Sequence, residues 1–211
     1  MEQAASDYRP VSRLAVLAAA LGGLSALAVV SPVCWVLPLI AGGVSLAALA
    51  DIRRGGSRKA GGLAAVAGLG LAVGFGGQAA GDAVATRWLV TRRAAATARY
   101  WIDAVRAGRL GDALSVCGPR AGGIPTGVAA ETARSFGGLA AVRALADCGP
   151  AVAPVITTVA AAEDGGWIVR AALAACGRSG ETLRIAVVPE TVPRPGGSVD
   201  RWLVTDFAVE R

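Results

Sequence analysis

The sequence predicts a membrane α-helical region of three helices, followed by an α+β domain whose helices pack on a four-stranded antiparallel sheet. Three observations predict it. No charged residue occurs from Leu14 to Ala50, a run of 37 positions. A second uncharged run, of 22 residues, extends from Ala60 to Gly81. After Pro154, apolar residues alternate with polar or small ones at a period of two, which is typical of strands.

The first uncharged run is long enough for two membrane helices, since one crossing takes about 20 apolar residues. Ser31-Pro32-Val33 divides the run, because proline disfavours helical geometry in the residue before it. We therefore predict helices over 14–30 and 33–50, with Trp35 at the interfacial depth where aromatic residues concentrate. A cleaved signal peptide fits poorly because more membrane sequence follows at once. A buried hairpin in a soluble core is disfavoured because the run is apolar on every side.

The third predicted helix, over 60–81, is less apolar than the first two, because eight of its residues are glycines. Two pairs of these glycines have the GxxxG spacing that lets helix backbones approach closely in lipid. We predict Gly70, Gly74, Gly77 and Gly81 as helix-packing residues on this spacing. Such packing would support a crossing that the glycine content alone makes marginal.

The distribution of basic residues predicts the orientation, since these residues concentrate on the cytoplasmic side. They are Arg9 and Arg13 before the first helix, and Arg53, Arg54, Arg58 and Lys59 between the second and third. The turn between the first two helices has none. We predict a multi-pass cell-membrane protein with a cytoplasmic tail over 1–13, a transmembrane module over 14–81 and an extracytoplasmic domain over 82–211. If 60–81 does not cross, the same domain stays in the cytoplasm.

The net charge of +6 divides equally between the two regions. From Asp82 onward, fifteen arginines stand against twelve acidic residues, with the signs interspersed. Nucleic-acid binders usually concentrate basic charge on one face or in one run. We therefore expect no nucleic-acid partner; the predicted partners are the lipid bilayer and another membrane or envelope protein.

The region from Asp82 onward reads as helices first and strands afterwards. Helical stretches are predicted over 82–107, 110–116, 128–136 and 139–146. Strands are predicted over 154–162, 167–176, 183–188 and 202–209, with a longer loop from Pro189 to Gly197. This order gives an α+β domain with helices on one face of an antiparallel meander.

Three segments of the first region are similar to a bacterial membrane module of unknown function. They are Tyr8–Val16 (YRPVSRLAV), Ala47–Arg54 (AALADIRR) and Gly61–Gly70 (GGLAAVAGLG). That family has a hydrophobic hairpin ending in an ALxxIRR-type tail, followed by a GxGLAxxGLxLG-type helix. The resemblance covers residues 8–80, with altered glycine spacing in the last segment. It implies membrane residence and transfers no catalytic residue.

The second region resembles the NTF2-like (cystatin-like) superfamily in its order of elements. The opening helix Tyr100–Ala113 (YWIDAVRAGRLGDA) and the final strand Arg201–Phe207 (RWLVTDF) carry the resemblance, which covers 82–211. The family implies a cone-shaped pocket used for small ligands, isomerisation or protein contacts. A fold does not fix a function.

The chain contains no histidine, which excludes Ser-His and Cys-His nucleophile pairs and imidazole metal ligands. The acids that could serve as a base in a pocket are Asp103, Asp112, Glu163, Asp164, Glu190 and Asp206. A solvated or ion-paired role suits each of them better, because arginines and turns surround them. We predict no catalytic residue, no cofactor and no metal site.

The four cysteines show no CxxC spacing that would indicate zinc binding or redox work. Cys34 lies in the membrane region and is expected to pack as a small apolar residue. In an exported domain a disulfide among Cys117, Cys148 and Cys176 is expected, and the sequence does not choose the pair. Buried free thiols are the alternative.

These observations favour a non-enzymatic, membrane-anchored envelope protein whose outer domain binds a partner or a small ligand. The first alternative is an NTF2-like pocket enzyme that uses a lone carboxylate. The second is a membrane module that assembles with another membrane protein through its glycine faces.

Overall fold

The computed structural model describes residues 12–54, 61–119, 121, 129–149, 151–194 and 197–211. These residues form two compact units, Met1–Thr86 and Arg87–Arg211. The predicted tail before residue 12, the basic residues Arg58 and Lys59, and most of the 118–127 loop lie outside the described residues.

Three helical segments are long and apolar enough to cross a membrane: Arg13–Val30, Pro32–Arg54 and Gly62–Arg106. The first consists of α1 (Arg13–Leu24) and α2 (Leu27–Val30), with a turn at Ser25. The turn follows the Gly22-Gly23 pair, and the Ser25 hydroxyl donates to the Leu21 carbonyl at 3.0 Å. A hydroxyl that bonds back to the preceding turn bends a helix in this way.

The second segment begins with a 3₁₀ turn, Pro32–Trp35, and continues as α3 (Val36–Arg54). The predicted division at Pro32 is confirmed, since the residue before it, Ser31, is extended. The third segment is α4 (Gly62–Arg106), a single helix of 45 residues. The sequence predicts helix on both sides of Asp82, and no proline or helix cap separates the two stretches in the structure.

In the first unit, the buried residues of the helices are small. They are Ala15, Ala18, Gly22, Ser25 and Ala28 in α1 and α2, Ala41, Ser45 and Ala48 in α3, and Ala65, Gly68, Ala72 and Ala79 in α4. Successive members are mostly three or four residues apart, which is the spacing of helices packed in a left-handed supercoil. Large apolar side chains such as Leu39 and Leu63 point outward from this unit.

The second unit contains the end of α4, three short helices and one sheet. The short helices are α5 (Leu110–Ser115), α6 (Ala129–Gly137) and α7 (Ala140–Asp147). The strands are β1 (Val155–Ala161), β2 (Trp167–Ala172), β3 (Thr182–Arg194) and β4 (Gly197–Glu210). The sheet is antiparallel with the order β1-β2-β3-β4, so the predicted fold class is confirmed.

The core lies between the helices and one face of the sheet. The α4 side contributes Ala94, Ala98, Trp101 and Val105 at spacings of four, three and four residues, and the sheet contributes Val169, Ile185, Val187 and Phe207. Trp101, Phe136 and Phe207 form a ring cluster with centroids 4.8–6.2 Å apart. The opposite face of the sheet is charged, with Arg170, Arg184, Asp206 and Glu210 in ion pairs of 2.9–3.7 Å.

The prediction of a loop over 189–197 is wrong for 189–194 and Gly197, which are strand; residues 195 and 196 lie outside the described residues. β3 and β4 continue as a hairpin to the pair Arg194 and Gly197, beyond the last partner of β2, which pairs Trp167 with Val187. Pro189 and Pro193 suggested a loop because proline has no N–H for a central strand. Past Val187 one edge of β3 is unpaired among the described residues, and proline is tolerated at such an edge.

Two smaller differences concern the end of β2 and the pairing of β4. The predicted strand over 167–176 ends at Ala172, and Ala174–Cys176 form a 3₁₀ turn that leads to Gly177 at φ 77°. In β4 the pairing slips between Ala186 and Val187 of the partner strand. As a result Val204 and Phe207, three residues apart, are both buried in the core. A local bulge cannot be read from simple alternation.

Candidate functional site

The second unit has a cleft between α4 and the first half of β4. It consists of two adjoining cavities of about 540 and 420 Å³ that share Ala96, Thr97 and Trp202. Arg93, Ser198, Val199 and Asp200 line the first cavity, and Tyr100 and Val116 line the second. We call this opening the α4–β4 cleft.

The helical period of α4 places the cleft residues. Ala94, Ala98 and Trp101 are buried in the core, which leaves Thr97 and Tyr100 on the neighbouring side of the helix. Tyr100 keeps 45% of its surface exposed. The other wall comes from residues 198–202 of β4, which pair with β3 in the part of the hairpin that extends beyond β2.

The cleft combines one cavity with charged residues in its lining and an adjoining cavity with a mainly apolar lining. Tyr100 and Trp202 provide aromatic surface, Arg93 a positive charge, and Asp200 a negative charge that accepts a hydrogen bond from Thr191 at 3.1 Å. Aromatic and arginine side chains are the residue types enriched where proteins contact partners. The arrangement suits recognition of a chain that carries both apolar and polar groups.

The predicted candidate bases do not come together at this cleft. Asp103 pairs with Arg106 at 3.2 Å, Asp112 with Arg109 at 2.7 Å, and Asp206 with Arg184 at 2.9 Å. Each of these three carboxylates is about half exposed or more. Glu163, Asp164 and Glu190 are exposed. Among the described residues, no group of three or more cysteine or acidic side chains is arranged to hold a metal ion.

Of the three cysteine pairs that the sequence left open, the structure joins Cys148 to Cys176. The bridge links the end of α7 to the 3₁₀ turn that follows β2, across a sequence separation of 28 residues. Such bonds persist in oxidising compartments and are rare in the cytosol. The disulfide is therefore consistent with an extracytoplasmic location of this unit.

Cys117 is a free thiol that donates a hydrogen bond to the Ala113 carbonyl at 3.3 Å. Burial raises the pKa of this thiol to about 11, and interaction with the Trp101 side chain acts in the opposite direction more weakly. Because the thiolate is the reactive form, this cysteine is unreactive towards electrophiles at neutral pH. The other free thiol described, Cys34, is half-buried in the 3₁₀ turn before α3.

The four glycines predicted to pack helices are exposed within the chain. A Cβ atom added at Gly70, Gly74, Gly77 or Gly81 would meet nothing within 4 Å. Their role against another chain stays a prediction.

The close helix contacts within the first unit use other glycines. A Cβ at Gly22 would lie 2.7 Å from the Gly68 carbonyl oxygen, and one at Gly68 would lie 2.5 Å from the Ala18 carbonyl oxygen. A Cβ at Gly76 would lie 3.0 Å from Pro38 Cβ. Small residues spaced three or four positions apart are the sequence pattern that indicates Gly22 and Gly68 as contact residues. The glycines with GxxxG spacing lie on a different side of α4.

No protein-family model, curated protein or solved structure matches this chain. The predicted order of three long apolar helices followed by a four-stranded antiparallel sheet is confirmed. Membership of the membrane-module family or of the NTF2-like superfamily receives no support from these comparisons.

Proposed function

We propose that this chain is a multi-pass membrane protein of the bacterial envelope that presents an exported, non-catalytic domain to a protein partner. The N-terminus lies in the cytoplasm, the three apolar helical segments cross the membrane, and the second unit lies outside. A segment of the partner binds in the α4–β4 cleft.

The Cys148–Cys176 disulfide carries the export part of the proposal, because it needs an oxidising compartment. The basic residues Arg53 and Arg54 at the end of α3 support the same topology. An odd number of crossings from a cytoplasmic N-terminus leads outside.

The packing of the second unit favours binding over catalysis. The space between the helices and the sheet, where an NTF2-like pocket would lie, is filled by the rings of Trp101, Phe136 and Phe207. A catalytic carboxylate usually lies buried in a pocket. Asp103, Asp112 and Asp206 instead form exposed ion pairs.

The topology is tested by fusing alkaline phosphatase or a fluorescent protein after Arg211 of the full chain. Phosphatase activity without fluorescence is expected, because phosphatase folds only after export. Fluorescence without phosphatase activity would place the second unit in the cytoplasm and reject the proposal. A second check is the Cys148–Cys176 bond itself, which should be present in cells whose thiols are trapped before lysis.

The cleft is tested by placing a photo-crosslinking amino acid at Thr97 of the full chain in its native membrane. A partner adduct is expected at Thr97 and should be lost on charge reversal of the cleft by Arg93→Glu. The matched control position is Thr158, which is exposed on β1, away from the cleft. Equal adducts at both positions, or none at Thr97, would argue against binding at this cleft.

A further inference from the structure

The first unit contains an apolar groove of about 610 Å³ between α3 and α4. Among the residues that the structure describes, no charged side chain lines it, and Trp35 alone of the lining residues has a polar side-chain atom. The groove opens on the surface of the unit, since Leu39 and Val73 at its sides are 78% and 67% exposed. We propose that this groove binds one acyl chain of a phospholipid from the outer leaflet; the leaflet rests on the three-span topology proposed above.

The depth of the groove supports the assignment to one leaflet. On α3 it extends from Val36 to Leu46, which is about 15 Å at the rise of an α-helix, and Trp35 lies in the 3₁₀ turn just before. That length is about half of a 30 Å hydrocarbon core, and thus the depth of one leaflet. In the proposed topology α3 starts at the outer surface, so these residues belong to the outer half.

The α4 wall gives the same depth independently. It spans Ala72 to Ala80, the second half of the apolar stretch that begins at Gly62. α4 runs outward in the proposed topology, so this half also lies in the outer leaflet. Trp35 then sits at the outer end of the groove, at the level where tryptophan contacts lipid headgroups.

The width of the groove comes from glycines. An added Cβ at Gly42, Gly43 or Gly77 would meet nothing within 4 Å, so the walls leave space that the chain itself does not fill. A groove at this depth is continuous with the lipid-facing surface of the unit and closed to water. An acyl chain matches both its apolar lining and its length.

The test is native mass spectrometry of the full chain, purified in mild detergent from its own membrane. The wild-type protein should retain one phospholipid. Gly77→Leu places a large side chain in the groove and should reduce the lipid-bound fraction at least fivefold. Gly70→Leu is the matched control, because Gly70 also faces open space but does not line the groove.

No retained phospholipid, or equal retention in all three proteins, would overturn the proposal. So would a wild-type dimer that Gly77→Leu converts to a monomer, since a second copy would then fill the groove. The phosphatase fusion separates the two proposals. An exported fusion without retained lipid rejects the groove assignment alone, whereas a cytoplasmic fusion rejects the proposed topology and with it the outer leaflet.

Discussion

The two units of this chain bury opposite kinds of side chain. In the first unit, small residues such as Ala18, Gly22 and Gly68 are inside, and large ones such as Leu39 and Leu63 are outside. In the second unit, Trp101, Phe136, Leu145 and Ile185 are completely buried. The contrast is the one expected between a protein surrounded by lipid and one surrounded by water.

The physical reason is the solvent. In water, burying apolar surface drives folding at about 25 cal/mol per Å², so the largest apolar side chains go inside. In lipid the hydrophobic effect does not drive helices together, and close contact between small residues provides the association energy instead. If the first unit were a soluble bundle, its exposed leucines and valines would be an aggregation surface. Substitutions in each unit test this difference.

The largest expected effect is that of Trp101→Ala in the second unit. Removing this buried ring from its contacts with Phe136 and Phe207 should cost about 3–5 kcal/mol of unfolding free energy. Near-ultraviolet circular dichroism of the detergent-purified chain should show the domain melting earlier, while the helices of the first unit remain. Tyr100→Ala is the neighbouring control, and an equal loss there would contradict the assigned core.

The next effect is that of the double substitution Cys148→Ser and Cys176→Ser. Closing a loop of this length by a disulfide stabilises a domain by about 3–4 kcal/mol through the entropy of the unfolded chain. Urea unfolding should show that loss for the double variant. Cys117→Ser keeps a hydrogen-bond donor to the Ala113 carbonyl and should cost less than about 1 kcal/mol. Equal losses of unfolding free energy in the two variants would indicate that the disulfide does not join Cys148 to Cys176.

A smaller effect is expected for Gly68→Ala in the first unit. The added methyl would lie 2.5 Å from the Ala18 carbonyl oxygen, so α1 and α4 must separate at a cost of about 1–3 kcal/mol. Thermal unfolding in detergent would report it. Gly70→Ala adds the same methyl in open space and should be neutral or slightly stabilising, because alanine favours helix. Matching losses would mean that the helices do not meet at Gly68.

The smallest effect on folding at neutral pH concerns the Cys117 thiol. Its pKa of about 11 leaves roughly one thiol in a thousand ionised at pH 8. In a Cys34→Ser background, alkylation by iodoacetamide should accelerate about tenfold per pH unit from 8 to 10. A plateau in the alkylation rate above pH 9 would indicate a thiol with an unshifted pKa.

The raised pKa of Cys117 favours the neutral thiol in the folded state. The contribution of this thiol to folding stability is therefore complete below pH 9 and is lost as the pH rises towards 11.

Local patterns predicted those parts of the molecule that local physics determines. The uncharged runs, the break at Pro32 and the alternation in β2 each depend on neighbours in sequence. The pairing of Cys148 with Cys176 and the contact of Gly22 with Gly68 join residues that are far apart in sequence. Such contacts depend on the three-dimensional fold, and local sequence patterns do not predict them.

The pairing of β3 with β4 beyond Val187 was not predicted for a different reason. Proline argues against a strand only when that strand is hydrogen-bonded along both of its edges. The sequence does not show that the pairing of β2 with β3 ends at Trp167 and Val187. The α4–β4 cleft was missed as a consequence, since the extended half of β4 forms one of its walls. The predicted helix over 82–107 includes Tyr100 and the predicted strand over 202–209 includes Trp202, whereas residues 198–200 lie in no predicted strand.

The prolines of β3 have a consequence for solubility. A strand with a free edge offers N–H and C=O groups to any other extended chain, which is how sheets begin to aggregate. Pro189 and Pro193 each remove one N–H from the part of β3 that β2 does not cover. β1, the edge strand on the same side of the sheet, has a bulge between Ile156 and Thr158 that interrupts its regular edge. The free edge of β3 and the edge of β1 are therefore poor templates for strand pairing, so copies of this unit are not expected to join strand to strand along them.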